Sequence, residues 1–466
     1  MFFLFCFIGI DAQNPIEISI SNSTFAATDS LLPFWFTANR QGKVQASASV
    51  LNTTDFYLGQ ALAYSSDSTL SWFWGGNLLA AFGQTSYYQV NRAFAGVSYK
   101  GWELKGGMFY DPVYYAGLST TNGNLARSGN ARPYPMVRIS SQNFKPVPFT
   151  QNLLSFKAEY SEGILNDTRF VSNVRLHHKS LYLKIEPTKT WAVQGGLEHF
   201  VMWGGTSKNE SVGRLPQNFK SYLLYITGSA GDESFLETDQ KNVAGNQLGT
   251  YQLEIKKQFT AFSAAFYLSH PFEDHSGKNL RNWPDNLLGL HLNFKNEQQL
   301  ITDIVYEYTN TRQQSVRDSF YVFDKETGNW KRQENDNYFT HGLFKSGFTY
   351  HQMVMSSPLF FPIQLDDVGS PTGFRAIQST RFYAHHLGMK GLLSEHIHWM
   401  GRATWVHHFG SYLIPYKPSR KQISCFFELQ YLNPAFPVEL GISAAADAGN
   451  TINSNLGFQI WVAKTW

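Results

Sequence analysis

Charged residues are scarce in this sequence. Asp, Glu, Lys and Arg together make up 16% of the 466 residues, whereas a soluble globular protein has about 25%. The net charge at pH 7 is only +3, and no long run of Lys and Arg occurs. Because a nucleic-acid partner requires a basic patch, the composition favours no nucleic-acid-binding function. The shortage of charge suits a protein whose surface faces lipid.

Cysteine is nearly absent, which limits covalent and metal chemistry. Cys6 lies in a segment that we predict to be a signal peptide, so Cys425 would be alone in the mature chain. One thiol allows neither a disulfide framework nor a cysteine-based zinc site. His-His pairs occur at 177–178, 385–386 and 407–408, but neighbours on a strand point to opposite faces and cannot chelate together. We therefore predict no metal and no cofactor.

Long apolar runs are missing beyond the N-terminus, so no transmembrane helix is predicted. The single early run, residues 2–10, is typical of a secretory signal peptide with cleavage after Ala12. No basic n-region precedes this run, which predicts a true start upstream of Met1. We expect residues 1–12 to be the signal peptide and 13–466 to form one domain. A secreted chain of this kind can still cross a membrane as a closed β-barrel.

Aromatic residues are abundant, at 16% of the chain, and apolar residues recur with a period of two. In 423–431, 436–444 and 457–466, every second residue tends to be apolar, which predicts β-strands with one apolar face. These strands match the length of about 9–11 residues that crosses a membrane. A soluble two-domain β protein is the alternative, but its strands are usually about five or six residues long.

Polar stretches of unequal length separate the predicted strands. Short turns alternate with long loops, which is the pattern of outer-membrane barrels, whose long loops face the outside of the cell. We therefore predict an all-β fold, a large antiparallel transmembrane β-barrel. The long polar stretches lie near 116–150, 205–220, 228–248, 270–286, 309–336 and 361–378.

An ordered set of motifs resembles a known family. LPFWFTANRQGK (32–43), SGNARPYPMVRIS (128–140), HPFEDHSGKNLRNWPDNLLGL (270–290) and STRFYAHHLGMKG (379–391) follow one another along the chain. In this order they resemble the capsule assembly protein Wzi family in its Bacteroidota form, from about Leu32 to Trp466.

This resemblance implies both architecture and function. It implies a monomeric outer-membrane β-barrel of about 18 strands in a Gram-negative bacterium, with a small helical or plug-like N-terminal element. It also implies a lectin-like role without catalysis, in which capsular polysaccharide or another exopolysaccharide is bound and capsule assembly or attachment is supported. A diffusion channel or transporter is the alternative function, since it would share the barrel.

Polysaccharide binding would need aromatic rings for sugar faces and polar groups for hydroxyls, with Arg for any carboxylates. Two loops and one strand end concentrate such residues. The competing interpretation is that these side chains form salt bridges and turns that hold the loops over the barrel. The candidate glycan contacts are Arg127, Asn130, Arg132, Tyr134, Arg138, Trp203, Glu273, Asp274, Arg281, Trp283 and Asp285.

Catalytic interpretations find little support. Glu273, Asp274 and Asp285 could supply a carboxylate pair for glycoside cleavage, but such a pair needs a defined separation that the sequence does not give. The oxygen-rich stretch 274–277 would also suit Ca²⁺, without specificity. We therefore expect no enzyme activity.

The C-terminal strand predicts how the chain meets the membrane. Phe458 and Trp466 share the apolar face of 457–466, so both are expected to contact outer-membrane lipids. A final aromatic residue is common where the barrel assembly machinery recognises the last strand, so we expect that machinery to be a partner. Lys464 lies on the same face, where its amine can extend to the headgroups.

Overall fold

The computed structural model describes most of the chain after residue 15. The predicted signal peptide, residues 1–12, and Asp274 lie outside the described residues. The described residues are 16–46, 49–63, 69–84, 86–241, 243–273, 279–296, 299–315, 321–324, 328–332, 337–362 and 377–466.

Eighteen long strands form one antiparallel barrel, which confirms the predicted fold class. In chain order they are β1 (Glu17–Ala27), β2 (Val50–Ala63), β3 (Leu70–Gly83), β4 (Ala93–Tyr99), β5 (Trp102–Met108), β6 (Met136–Ser141), β7 (Leu154–Leu165), β8 (Val174–Thr188), β9 (Trp191–Trp203), β10 (Asn246–Gln258), β11 (Phe262–Phe272), β12 (Asn286–Phe294), β13 (Asp303–Asn310), β14 (Arg381–Ser394), β15 (Ile397–Gly410), β16 (Pro415–Tyr431), β17 (Glu439–Gly449) and β18 (Asn455–Thr465).

The barrel closes between its first and last strands. Strand β1 pairs with β2 on one side and with β18 on the other, from Ser19 opposite Thr465 to Ala27 opposite Gly457. Across the longest connection, β13 pairs directly with β14. Because every barrel strand has two neighbours, the backbone polar groups are satisfied within the wall, as a lipid environment requires.

The remaining elements are short. Helix α2 (Phe219–Thr227) begins at Asn218, whose side chain accepts a hydrogen bond from the Ser221 N–H, and ends at left-handed Gly228. Within the described residues, no helix is long and apolar enough to cross a membrane. The other helices are α1 (Phe34–Thr37), α3 (Glu237–Lys241) and a 3-10 turn (Tyr115–Gly117). Two short strands, Tyr87–Gln89 and Lys145–Pro146, extend the barrel sheet. Four further pairs of short strands are Val171–Ser172 with Thr206–Ser207, Tyr321–Asp324 with Asn329–Arg332, Thr349–Tyr350 with Met353–Val354, and Phe361–Pro362 with Ile377–Ser379.

The predicted alternation separates the two faces of the wall. On β18, Phe458 and Ile460 are 57% and 67% exposed, whereas Gly457 and Gln459, which alternate with them, are buried. The exposed apolar side chains therefore point away from the lumen, and the polar ones point into it. Cys425 is also exposed on the outer face of β16. The apolar face of the terminal strand is therefore on the outer surface, which is the surface of a membrane barrel that meets the bilayer.

Connection lengths distinguish the two ends of the barrel. Both chain ends lie at the same end, where Ile18 and Trp466 exchange backbone hydrogen bonds. Two-residue turns at 100–101, 189–190 and 395–396 lie at this end as well. The longest connections, such as 109–135, 204–245 and 311–380, lie at the opposite end. Since outer-membrane barrels have short periplasmic turns, the long connections mark the extracellular end.

The hydrophobic core lies inside the barrel. We call residues 28–46 the N-terminal plug, 109–135 the lumen loop and 337–362 the outer cap. Their apolar side chains join inward-facing strand residues in one buried cluster. Members that are at most 2% exposed include Phe25, Trp35, Phe36, Leu125, Phe339, Phe348, Phe360 and Phe382. Among the described residues, the interior is therefore a packed core in its extracellular half.

Candidate functional site

The N-terminal plug is fixed to the inner wall through helix α1. The Phe34 N–H donates to the Asp447 carboxylate over 2.8 Å, and the Trp35 side chain is fully buried. The guanidinium of Arg402 lies 5.0 Å from the Trp35 ring centroid, a favourable cation–π geometry. This is the small helical, plug-like N-terminal element that the family resemblance implied, and it narrows the lumen beside β15 to β17.

The lumen loop crosses the barrel and bonds to the opposite wall. The Glu307 carboxylate on β13 accepts hydrogen bonds from the Ser119 hydroxyl (2.5 Å) and from the Thr120 N–H and hydroxyl (2.8 and 2.6 Å). His386 contacts the Leu118 carbonyl at 2.7 Å. A buried carboxylate with several donors is stable where an unpaired one would be costly. Removing this loop would therefore take away the Ser119 and Thr120 donors and leave Glu307 with the hydrogen bond from the Tyr267 hydroxyl, at 2.7 Å.

Two of the predicted glycan contacts, Arg127 and Arg138, lie inside the barrel in an ion-pair network. Arg127 binds Asp111 through two hydrogen bonds of 2.7 and 2.6 Å and Glu159 through one of 3.1 Å. Arg138 contacts Asp111 at 3.1 Å and Glu103 at 3.4 Å. Desolvation raises the pKa of Asp111, but the charges of Arg127 and Arg138 outweigh it and hold that pKa below its ordinary value. These arginines hold the lumen loop.

Asn130, Tyr134 and Arg132 also join the lumen loop to its neighbours. The Asn130 amide donates to the Val354 carbonyl over 2.9 Å, while its oxygen accepts a hydrogen bond from the Asn39 N–H. Tyr134 packs edge-on against Tyr350 of the outer cap, with ring centroids 6.2 Å apart. Half-buried Arg132 donates to the Val90 carbonyl over 2.8 Å. Arg132 is the charged residue among these three, and it is only half-buried.

A cavity of about 530 Å³ with many charged residues in its lining lies on the periplasmic side of the lumen loop. Arg127 and Arg138 border it, together with Lys157 and Gln252 of the surrounding wall. Five acidic and four basic side chains line it, so their charges nearly cancel and favour neither anions nor cations strongly. The charged members are Glu103, Asp111, Glu159, Glu198, Glu254, Arg127, Arg138, Lys157 and Arg402.

Asp285 and Glu273 connect extracellular segments instead of facing solvent. The fully buried Asp285 carboxylate accepts hydrogen bonds from Gln313 N–H (2.9 Å), Gln314 N–H (2.8 Å) and the Tyr338 hydroxyl (2.9 Å). Burial raises the pKa of Asp285 to about 6 in spite of these donors. The Glu273 carboxylate accepts a hydrogen bond from the Phe339 N–H. Both acids therefore hold the loops together.

Arg281 and Trp283 are the open members of the second predicted loop. The Arg281 side chain is exposed, and Trp283 is 49% exposed. One side of the indole lies near His270, with ring centroids 6.0 Å apart. A supported aromatic ring with an open side and a nearby guanidinium form the kind of surface that binds sugars and their carboxylates.

A buried network beneath this loop was not predicted. The Asn282 amide donates to the Pro271 carbonyl (2.6 Å) and to the Tyr338 hydroxyl (2.8 Å), and the Asn282 oxygen contacts His270 at 3.0 Å. Asn282 and His270 are at most 2% exposed. Tyr338 is distant in sequence, so the residues around Asn282 gave little indication of this network. The local indication was an Asn between a charged residue, Arg281, and an aromatic residue, Trp283. The network positions the Trp283 ring.

Trp203 lies beneath helix α2 and not at an open surface. It is 3% exposed, and its ring packs against Tyr222 and Tyr225 at centroid distances of 5.1 and 5.5 Å. The Arg175 guanidinium lies 4.9 Å from the Trp203 ring. With both faces covered, this indole has no face for a sugar, so we omit it from the proposed contacts.

The two aromatic residues predicted to contact lipid, Phe458 and Trp466, are both exposed. Phe458 projects from the outer face of β18, and Trp466 is 57% exposed. The Trp466 N–H donates to the Ile18 carbonyl over 2.9 Å, so the last residue also completes the seam of the barrel. The Lys464 amine lies 4.9 Å from the Trp466 ring centroid, which brings this charge to the edge of the apolar face.

The described residues include no group of three or more His, Cys, Asp or Glu side chains placed to hold a metal ion. His177 and His178 illustrate why a pair fails to chelate. His177 contacts Glu162 at 2.6 Å, whereas His178 contacts Glu159 and Glu198 at 3.0 and 3.2 Å on the opposite face.

Comparison with known proteins relates this geometry to a family. A family model described as capsule assembly protein Wzi matches residues 19–360. Among solved structures, the chain is similar to Escherichia coli Wzi, which is described as a carbohydrate-binding β-barrel. The two sequences are 14% identical, the match covers 95% of this chain and 83% of that chain, and the TM-score is 0.58. Pseudomonas aeruginosa OccK5 (OpdH) is 10% identical, with 97% of each chain covered and a TM-score of 0.49. No curated protein matches the chain in sequence. This outer-membrane β-barrel therefore belongs to the capsule assembly protein Wzi family.

Proposed function

We propose that this protein binds capsular polysaccharide or another exopolysaccharide at the cell surface, without cleaving it, and supports capsule assembly or attachment. Family membership and the carbohydrate-binding description of the E. coli structure support the proposal. The observation that carries it in this chain is an exposed Trp283 beside exposed Arg281 on the extracellular side of a filled barrel. The closed single-chain wall also supports a monomer.

The proposed contacts are complementary to a polysaccharide in two ways. The open side of the Trp283 indole can cover the C–H face of a sugar ring. The Arg281 guanidinium can bind a carboxylate through two parallel hydrogen bonds if the polymer is acidic. Arg132, half-buried near the same end, is a second point at which an acidic chain could bind.

The filled lumen disfavours the channel alternative. A diffusion pore needs a continuous aqueous path, whereas α1 and the lumen loop fill the described interior with side chains such as Trp35 and Leu125 that are fully buried. The carboxylates considered for glycoside cleavage also have structural partners, since Asp285 accepts four hydrogen bonds and Glu273 accepts one from the Phe339 N–H. Asp274 lies outside the described residues. Binding without cleavage is therefore the simplest function of this surface.

A matched pair of double variants tests the proposed surface. Arg281→Ala with Trp283→Ala removes one cation and one indole at the extracellular end. Lys189→Ala with Trp191→Ala likewise removes one cation and one indole, at a periplasmic turn where both residues are exposed. Binding of the purified proteins to the organism's own polysaccharide is measured directly. We expect about tenfold weaker binding for the extracellular pair, from a loss of about 1–2 kcal/mol, and no change for the periplasmic pair.

The cellular consequence is tested separately. In a strain that lacks the gene, cell-attached polysaccharide should fall and released polysaccharide should rise, and the wild-type gene should reverse both changes. Equal attachment in the two strains would contradict the attachment role. Shortening of the purified polymer on incubation with the protein would contradict the non-catalytic part of the proposal.

A further inference from the structure

The connection 204–245 does not cover the lumen, because its helix α2 lies against the outer face of the barrel wall. The Tyr222 hydroxyl donates to the Glu162 carboxylate over 2.5 Å. The Tyr222 ring also contacts His177 and Trp203, at centroid distances of 6.2 and 5.1 Å. Three neighbouring barrel strands, β7 to β9, therefore contact one side of this helix.

The alternation of the strands shows that these contacts are on the outside. On β8, His177 lies four residues from Leu181, which is 50% exposed. On β9, Trp203 lies six residues from Leu197, which is 43% exposed. Even separations place both members of each pair on one face, and the Leu residues point away from the lumen. The polar and aromatic outer residues at the top of these strands are buried only because α2 covers them.

Helix α2 is firmly docked on this wall. Tyr225 is 1% exposed, and its ring lies 5.1 Å from that of Phe235. The Gln247 amide on β10 donates to the Tyr225 carbonyl over 2.8 Å. The Lys179 amine on β8 donates to the Ile226 carbonyl in the last turn of the helix, where a cation complements the helix dipole.

The opposite side of α2 is apolar and exposed. Phe219 and Leu223 are one helical turn apart, so they share a face, and they are 74% and 43% exposed. Tyr160, whose hydroxyl contacts that of Tyr222, is 38% exposed beside them.

This apolar face continues the lipid-facing band of the barrel. Lys179 pairs in register with Tyr160 and His199, and the next outward row toward the membrane centre contains Leu181 and Leu197. The helix therefore lies at the upper border of the lipid-facing band, at the depth where amphipathic helices insert into a bilayer interface.

We propose that α2 is an interfacial anchor whose Phe219 and Leu223 side chains insert among the acyl chains of the outer leaflet. The connection 204–245 then forms a platform beside the barrel, held by the wall on one side and by lipid on the other. Exposed Lys220, which forms an ion pair with Asp232 at 2.8 Å, keeps the polar edge of the helix toward the headgroups and water. This inference is independent of polysaccharide binding.

Spin-label accessibility tests the anchor in the folded protein. A nitroxide is attached to Leu223→Cys in a chain in which Cys6 and Cys425 are serine, and the protein is reconstituted in lipopolysaccharide-containing vesicles. Labels at Leu181→Cys on the lipid-facing wall and at Lys241→Cys on exposed α3 are the controls. We expect the label at 223 to collide with oxygen more than with a water-soluble nickel chelate, as the label at 181 does.

Two other results would overturn the proposal. Nickel accessibility like that of the label at 241 would mean that α2 projects into water. Protection from both agents, with dipolar broadening between labels, would mean that a second copy of the chain covers the helix. Heat-modifiable migration on a gel confirms folding of each labelled protein, and Phe219→Cys provides a second label position if the one at 223 prevents folding.

Discussion

Single buried residues hold the extracellular segments of this barrel in place, and Asp285 is the best example. It precedes β12, yet its carboxylate accepts hydrogen bonds from the backbone after β13 and from Tyr338 in the outer cap. Asn310 donates to the same carboxylate over 3.0 Å. One short side chain thus joins its own connection to two separate segments of the connection 311–380, around the proposed glycan surface.

Asp285→Ala should loosen these connections while the barrel wall remains intact. The substitution leaves the buried N–H groups of Gln313 and Gln314 and the Tyr338 hydroxyl without their acceptor, at a local cost of about 2–3 kcal/mol. Hydrogen exchange should therefore accelerate at residues 311–315. Asp285→Asn, which retains one acceptor oxygen, should have a smaller effect. Unchanged exchange in the Ala variant would show that the carboxylate is not the link.

At this scale, the sequence predicted residue types better than residue roles. Arg127 and Arg138 stood out as arginines in a polar loop, but their acidic partners Asp111 and Glu159 are distant in sequence or on another strand. A single sequence does not show which acid meets which base. Arg281 and Trp283 are exposed, so the sequence of their loop alone could single them out as candidate contacts.

At the scale of elements, strands were predictable and loop directions were not. Each barrel strand has one side in lipid and one side in the lumen, so its side chains must alternate. The lumen loop has no such repeat, and its inward path depends on distant partners such as Glu307 and His386. The outer position of α2 depends likewise on Glu162 and Trp203.

The lumen loop should be sensitive to acid through Asp111. The pKa of Asp111 in the folded protein is below its ordinary value. The ionised carboxylate therefore stabilises the folded protein fully at pH values above the unfolded pKa of about 4. This stabilisation is lost as the pH falls through the lower folded pKa. Hydrogen exchange of residues 109–135, corrected for intrinsic rates, should be unchanged between pH 7 and 5 and should accelerate below about pH 4. Asp111→Asn should remove most of this dependence. Acceleration between pH 7 and 5 would implicate another group.

Deletion of Trp466 tests the role of the terminal strand in assembly. The deletion removes an exposed aromatic side chain and the hydrogen bond to the Ile18 carbonyl at the seam. We expect less folded protein in the outer membrane, measured by heat-modifiable migration of membrane fractions. Trp102→Ala, which removes another exposed aromatic side chain near a periplasmic turn, should leave the folded amount unchanged. Equal loss in both variants would indicate general destabilisation.

At the scale of the whole molecule, the chain is a closed wall around its own core. Repeated strands determine the wall, and the family resemblance implied the number of strands that the structure confirms. The resemblance also implied a plug-like N-terminal element, but the filling of the lumen by 109–135 was not predictable, because this loop carries no periodic signal and binds residues on distant strands, such as Glu307 and His386. A wall of this kind is compatible with a pore or an anchor, so the lumen contents distinguish the two functions.

Planar bilayers should show that the wild-type barrel conducts very little. Replacing 29–46 or 112–134 by a short Gly/Ser linker removes the N-terminal plug or most of the lumen loop, and each variant keeps the other obstruction. The two replacements together should open the lumen, so conductance should rise far more in the combined variant than in either single one. Because β1 to β18 are untouched, heat-modifiable migration verifies the wall in each case. Steady conductance of the wild type at the level of the combined variant would instead identify the protein as a channel and would remove the structural argument for a surface anchor.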